Sequence, residues 1–218
     1  MTAPPSAHVD RFAAQSPQDL ADLASRHPLA WLCSQGPSGQ LSTPLPLVPV
    51  FTPDGRLLAV EGHFARSNPQ VAALRAEANA WILWMGVQGY VSPSWMADRT
   101  QAPTWNYASA RLNVSVKFDD DPAAILRHLC ELTARQEAGR AGAWSIDEMG
   151  PRLAQLAQRV IAFRAEVVEC HERYKLGQDE RDDVFADIVT GLAAAGDGAL
   201  VDWMRRFNPG RASVDAAS

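Results

Sequence analysis

The chain has 218 residues, of which 47% are apolar and 21% charged, with 20 basic and 25 acidic side chains for a formal charge of −5. That composition excludes collagen-like, disulfide-rich and wholly disordered chains, and the length suffices for one domain with a sizeable core. Lys117 and Lys175 are the only lysines, and an acidic balance of this kind gives no long-range pull toward nucleic-acid phosphates, so DNA contact is not supported by charge. Cys33, Cys130 and Cys170 are widely spaced, with no CxxC pair, so neither a disulfide framework nor a structural zinc site is expected. The first residues, MTAPPSAHVD, lack a cationic start followed by an apolar run, and no later stretch is long and apolar enough for a membrane helix. The expectation is a cytoplasmic protein with no membrane span and no metal.

Ser16-Pro17 opens a predicted helix carrying Leu20, Leu23 and Ala24, which ends near His27-Pro28. Leu29 to Cys33, a Gly36-Pro37-Ser38-Gly39 turn and Leu41 to Phe51 read as strand, turn, strand. Pro44, Pro46 and Pro49 cannot donate ladder hydrogen bonds, so one edge there is expected to be unpaired or bulged. Thr52-Pro53-Asp54-Gly55 is a turn, and Leu57 to Gly62 forms a third strand. Asn68-Pro69 starts a helix with an apolar stripe of Val71, Leu74 and Ala78. Ala80 to Val87 reads as a strand, Gln88-Gly89 as a turn, and Tyr90-Val91-Ser92 as a further extended piece.

Pro93 to Trp105 reads as a polar loop, followed by a strand from Tyr107 to Phe118 with Leu112, Val114, Val116 and Phe118 on one face. Asp121-Pro122 caps a helix carrying Ile125, Leu126, Leu129 and Leu132, and a second helical region is expected from about Pro151 to Ile161. Ile161 to Val168 fits either a helix end or a strand. Asp179 to Leu192 is helical, and a weakly patterned tail holds one amphipathic piece, Leu200 to Phe207. The fold class is a β-barrel with helices (α+β): one domain over residues 1–192, with strands mainly in 28–118 and helices in 119–192, followed by a C-terminal extension, 193–218.

Three constellations could carry chemistry. Gly62 to Pro69 runs from a strand end into a helix N-terminus, where free backbone N–H groups and Arg66 suit an anion; the ordinary alternative is a plain cap with a solvated arginine. Tyr90-Val91-Ser92-Pro93-Ser94-Trp95 and Pro103-Thr104-Trp105-Asn106-Tyr107 offer hydroxyls and flat aromatic surfaces. In extended chain Ser92 and Ser94 share one face, as do Thr104 and Asn106, while Trp105 and Tyr107 point the other way. This suits a planar, polar-edged ring system, unless the tryptophans are core residues and the hydroxyls cap turns. Lys175, in Tyr174-Lys175-Leu176-Gly177-Gln178, could neutralise a phosphate or reach a partner subunit. The chain lacks GxSxG, Walker, GxGxxG and HExxH patterns, which removes the usual warrants for hydrolase, triphosphatase, Rossmann and zincin readings.

In text and order these segments, HPLAWL (27–32), GHFARSNPQ (62–70), YVSPSW (90–95), PTWNY (103–107) and YKLGQ (174–178), resemble the PaiB family of FMN-binding proteins, described as negative transcriptional regulators. The resemblance runs from His8 to about Leu192. It implies an FMN-binding split barrel similar to pyridoxamine-phosphate oxidases, forming a homodimer with FMN at the subunit interface. Under it, the candidate cofactor-binding residues are His63, Arg66, Asn68, Ser92, Ser94, Trp95, Thr104, Trp105, Asn106, Lys175 and Gln178. A flavin-dependent oxidoreductase using a nicotinamide cofactor or a small-molecule substrate is one expectation, with no catalytic acid or base identified. A transcriptional regulator acting directly or indirectly is another. Gly177 and Asp179, where the family usually has serine and asparagine, motivate a third, a split-barrel dimer that has lost FMN.

Overall fold

The computed structural model describes residues 10–211; His8, where the resemblance begins, and the final seven residues of the chain lie outside the described residues. Pro17–Arg26 (α1) precedes strands Leu29–Gly36 (β1), Gly39–Pro46 (β2), Val48–Phe51 (β3) and Leu57–Ala65 (β4). Helix Pro69–Ala76 (α2) leads into Asn79–Val91 (β5), a 3-10 turn at Pro93–Trp95 and Thr104–Asp119 (β6). Pro122–Glu137 (α3), a 3-10 turn at Ile146–Met149 and Arg152–Ala157 (α4) precede Val160–Lys175 (β7), and Asp182–Ala194 (α5) and Gly198–Phe207 (α6) complete the order. Seven strands form one sheet in the order β2-β1-β5-β6-β7-β4-β3. The fold divides into two compact units: the described residues within Met1–Ser16, Gly86–Ser109 and Glu172–Ser218, and Pro17–Met85 with Ala110–His171.

In the second of these units all seven strands contribute. β2 and β3 stand at opposite ends of the strand order, yet only Leu47 separates them in the chain. Laid flat, seven strands would hold those edges roughly 29 Å apart, and one residue spans about 3.3–3.6 Å. The sheet must therefore curl until its edges meet, which is how the chain makes a barrel. The prolines agree with this: Pro44, Pro46 and Pro49 all lie on the two end strands, where a missing donor breaks no central ladder. Phe64, Leu32, Leu47, Ile82, Trp84, Leu112 and Ile161 fill the interior and are fully buried. The Asn68 side chain caps α2 by accepting from Gln70 N, and Pro69 occupies the first turn, as the sequence predicts.

In the other unit, Tyr174, Trp203 and Phe207 stack, with Tyr174–Phe207 centroids 4.8 Å apart. Leu200, Val201, Trp203, Met204 and Phe207 are all buried, each such side chain contributing roughly 1.5–3 kcal/mol. Residues 198–207, read from sequence as a short amphipathic piece in a weakly patterned tail, are thus an integral helix of this unit.

Three local expectations are corrected. Gln88-Gly89 is not a turn: β5 runs through it, and Gly89 is needed because a Cβ there would lie 2.6 Å from Leu200 Cδ2. Helix α4 stops at Ala157, and the ambiguous run to Val168 is strand, paired antiparallel with β4 from Ala65↔Val160 to Ala59↔Glu166. The sheet therefore extends well past residue 118. Ser92 and Ser94 do not share one extended run: Ser92 is the extended N-cap and Ser94 lies inside the 3-10 turn Pro93–Trp95.

Candidate functional site

The candidate residues fall into two groups, one in each unit. In the barrel unit, His63 on β4 places Nδ1 3.1 Å from His128 Nε2 on α3, with the rings edge-on at 67°. Burial, and secondarily the neighbouring imidazole of His128, push the pKa of His63 down to about 4. Burial also lowers that of His128, partly offset by Glu131. Both rings are therefore neutral near pH 7, and one N–H is shared between them.

Arg66 follows β4 and is fixed by two acceptors: Nε donates to Gln158 O (3.1 Å) and Nη1 to Asp120 Oδ1 (2.7 Å). Asp120 also receives Arg75 Nη2 at 2.6 Å, and the two arginines hold its carboxyl below the usual range. Besides capping α2, Asn68 donates from Nδ2 to Thr43 Oγ1. Next to it, Gln70 is fully buried and knots three segments together: its Nε2 donates to Leu32 O and Ser34 Oγ, and its Oε1 accepts from Thr43 Oγ1 at 2.7 Å.

In the other unit, Lys175 at the end of β7 donates from Nζ to Thr104 Oγ1 and to Trp105 O, 3.1 Å away. Tyr90 and Trp105 are 46% and 52% exposed, with ring centroids 6.0 Å apart, so two aromatic surfaces stand open. Tyr107 Oη accepts from Arg173 Nε (3.2 Å), and Arg173 lies over Phe12. Ser92 Oγ and Ser94 Oγ are 2.8 Å apart. Trp95 packs on α5 where Gly191 lacks a side chain; a Cβ at 191 would lie 2.4 Å from Trp95 Cδ2. The intervening loop is tied down by Ala97 N donating to Asp187 Oδ2 (2.7 Å) and by Asp98. Hydrogen bonds from Thr100 and Gln101, with Arg181 adding to them, lower the Asp98 pKa to about 2.

Two candidates in this unit face inward. Asn106 is 1% exposed, with Nδ2 3.4 Å from Met204 Sδ. Gln178 spends its amide on backbone: Oε1 accepts from Leu176 N (2.7 Å) and Nε2 donates to Tyr174 O (2.6 Å). Both amides are thus engaged within the fold. The residues that sequence reasoning passed over are Tyr90, Arg173 and His128. Tyr90 lies inside a quoted motif, which was the available signal, since the alternation of β5 shifts at Gly86–Val87 and turns Tyr90 outward against the parity of its first half; nothing in the helical pattern of α3 marked His128.

The groups this unit offers a ligand are an exposed aromatic pair, an ammonium held by Thr104 and Trp105 O, and a paired set of serine hydroxyls. Among the described residues, no three His, Cys, Asp or Glu side chains gather as a metal centre would require, the three cysteines are free, and no helix is long and apolar enough to cross a membrane.

The sequence model of the family described as "Putative FMN-binding domain" matches residues 8–169. The protein "Protease synthase and sporulation protein PAI 2" of Bacillus subtilis (strain 168) is 26% identical over 136 residues, 61% of this chain and 64% of its own length. The chain thus spans less than two thirds of that relative. In fold it is similar to the flavocytochrome Anf3 from Azotobacter vinelandii, with 16% identity, TM-score 0.59, and 78% and 74% of the two chains covered. It is also similar to the FAD and heme binding protein from Mycobacterium smegmatis, with 20% identity, TM-score 0.56, and 82% and 79% covered. These matches bear out the resemblance to PaiB and the split-barrel fold, and with three quarters of its length matched the chain belongs to the FMN-binding-domain family.

Proposed function

We propose that the protein is an FMN-binding flavoprotein acting as a homodimer, with the flavin held by the segments 90–107 and 174–178. The observation that carries this reading is the open Tyr90–Trp105 pair, with Lys175 Nζ held by Thr104 Oγ1 and Trp105 O on the same strand β6. When bound, a flavin supplies hydride or electron acceptance. The chain's own part is to bind and orient. Trp105 and Tyr90 offer flat apolar surface for a ring, the Ser92 and Ser94 hydroxyls can donate to its polar edge or tail, and Lys175 places a fixed positive charge for an anionic group. Because Thr104 and Trp105 O already orient the ammonium, less side-chain freedom is lost on binding. The chemistry such a site would support is redox exchange with a nicotinamide cofactor or another small molecule.

The second protomer is supported by the barrel's outer face. Leu29 and Trp31 on β1, and Trp81, Leu83 and Met85 on β5, are 39–60% exposed, and Trp31 stands directly opposite Leu83 in the ladder. A contiguous apolar face of this size marks an interaction surface. The same face of a second copy is its simplest complement, since a two-fold contact needs only one self-complementary patch. Any effect on gene expression fits a redox or ligand-dependent route better than DNA contact, given the net charge of −5.

Titration with FMN, followed by flavin fluorescence, tests the site. Lys175→Met is expected to weaken FMN binding about tenfold or more, the scale of one charged hydrogen bond, while leaving the melting temperature nearly unchanged. Equal affinity in wild type and Lys175→Met would remove Lys175 from the site.

A further inference from the structure

A cavity of about 220 Å3 opens between α3 and α4 in the barrel unit. Pro122, Ile125 and Leu126 of α3 and Ala154 and Ala157 of α4 give it apolar walls, and Arg66 is the one charged side chain lining it. The guanidinium there is immobilised. Arg66 N donates to Arg159 O at 2.9 Å, Nε to Gln158 O at 3.1 Å and Nη1 to Asp120 Oδ1 at 2.7 Å. A guanidinium carries five N–H donors, so three remain after these two side-chain bonds, including both on Nη2. Asp120 is independently held by Arg75 at 2.6 Å, so it does not depend on Arg66 to stay in place.

An apolar recess with a preorganised, partly unspent arginine at its margin is the arrangement that recognises an amphipathic anion. We propose that this cavity is a binding site for small monocarboxylic acids with a compact apolar body, the body filling the recess and the carboxylate accepting from Arg66. Size and charge narrow the class. Dry cavities of about 150 Å3 already admit benzene, so a single aryl or short branched alkyl group fits. The Asp120 carboxylate is bonded to Arg66, and its repulsion disfavours a phosphate dianion more than a single carboxylate. The flavin reading proposed above rests on the segments 90–107 and 174–178, and of the candidate cofactor residues only Arg66 lines this cavity.

Benzoate is a suitable probe, with benzyl alcohol as its neutral counterpart and inorganic phosphate as the competing anion, each titrated into the full chain under amide NMR. Saturable shifts at Ile125, Ala157 and Arg66 are expected for benzoate, with binding at least tenfold weaker for benzyl alcohol and for phosphate. Arg66→Gln is expected to weaken benzoate about tenfold or more, the scale of a charge-assisted hydrogen bond. Ala157→Leu, which fills the recess and leaves Arg66 in place, is expected to abolish binding with an unchanged circular dichroism spectrum. The proposal is overturned if benzoate gives no saturable shifts at these residues, if benzyl alcohol or phosphate binds equally well, or if Ala157→Leu binds benzoate like the wild type.

Discussion

The His63–His128 pair makes the barrel sensitive to mild acid. In the folded protein burial and the adjacent ring lower the His63 pKa from 6.5 to about 4. In the unfolded chain the same imidazole takes its proton near pH 6.5. Between those values the unfolded state binds more protons, so stability falls as pH drops from about 6.5 and levels off below about 4. A shift of that size corresponds to at most about 3 kcal/mol, and because His63 keeps some solvent contact about 2 kcal/mol is the working expectation. His128, shifted the same way by burial, adds to the effect. The assay is urea unfolding followed by tryptophan fluorescence, for wild type and His63→Gln, at several pH values between about 7 and 4.5. His27 is also lowered and Glu180 raised by burial, but both are common to the two proteins and cancel in the difference. The lowered carboxylates Asp98, Asp120 and Asp183 lose their contribution only as pH falls through and below about 4, outside this window. His63→Gln should start less stable near neutrality and lose about 2 kcal/mol less on acidification. Parallel pH profiles for the two proteins would refute the reasoning.

Three further outcomes follow from the packing. Gln70→Leu strands the Thr43 hydroxyl, Ser34 and Leu32 O without their buried partner, and should lower unfolding free energy by about 1–3 kcal/mol in urea titrations. Gly191→Ala drives a methyl into the Trp95 ring and should cost about 1–3 kcal/mol, with a shift in tryptophan emission as Trp95 leaves α5; an unchanged spectrum would contradict that contact. Trp31→Asp with Leu83→Asp places like charges opposite each other on the apolar face, and light scattering should report a monomer for this variant against the dimer proposed for the wild type.

Elements with strong local punctuation were legible in the sequence. Asn68-Pro69 and Asp121-Pro122 each combine a capping side chain with a proline that fits the first turn, and both helices start there. The alternation of Leu112, Val114 and Val116 gave the long β6 strand its inner face. What failed depended on distant neighbours. Gly89 looks like a turn residue until α6 is seen to press against it, and no local pattern announces that approach. Val160 to Val168 carries both helical and strand features, and its pairing with β4, about 100 residues earlier, decided the outcome. The capping box from Ser145 to Glu148 was readable but passed over. In the candidate site the motifs mark segments only, while the direction of each side chain depended on strand parity and on α6. Asn106 and Trp105 are adjacent, yet one is sealed against Met204 and the other stands open.

Flavin binding itself is the central claim, and equilibrium dialysis of the purified wild-type chain against FMN measures it most directly. Saturable uptake of one FMN per protomer, accompanied by quenching of flavin fluorescence, is the predicted result. No uptake above that of an unrelated protein, at FMN concentrations that saturate known flavoproteins, would contradict it.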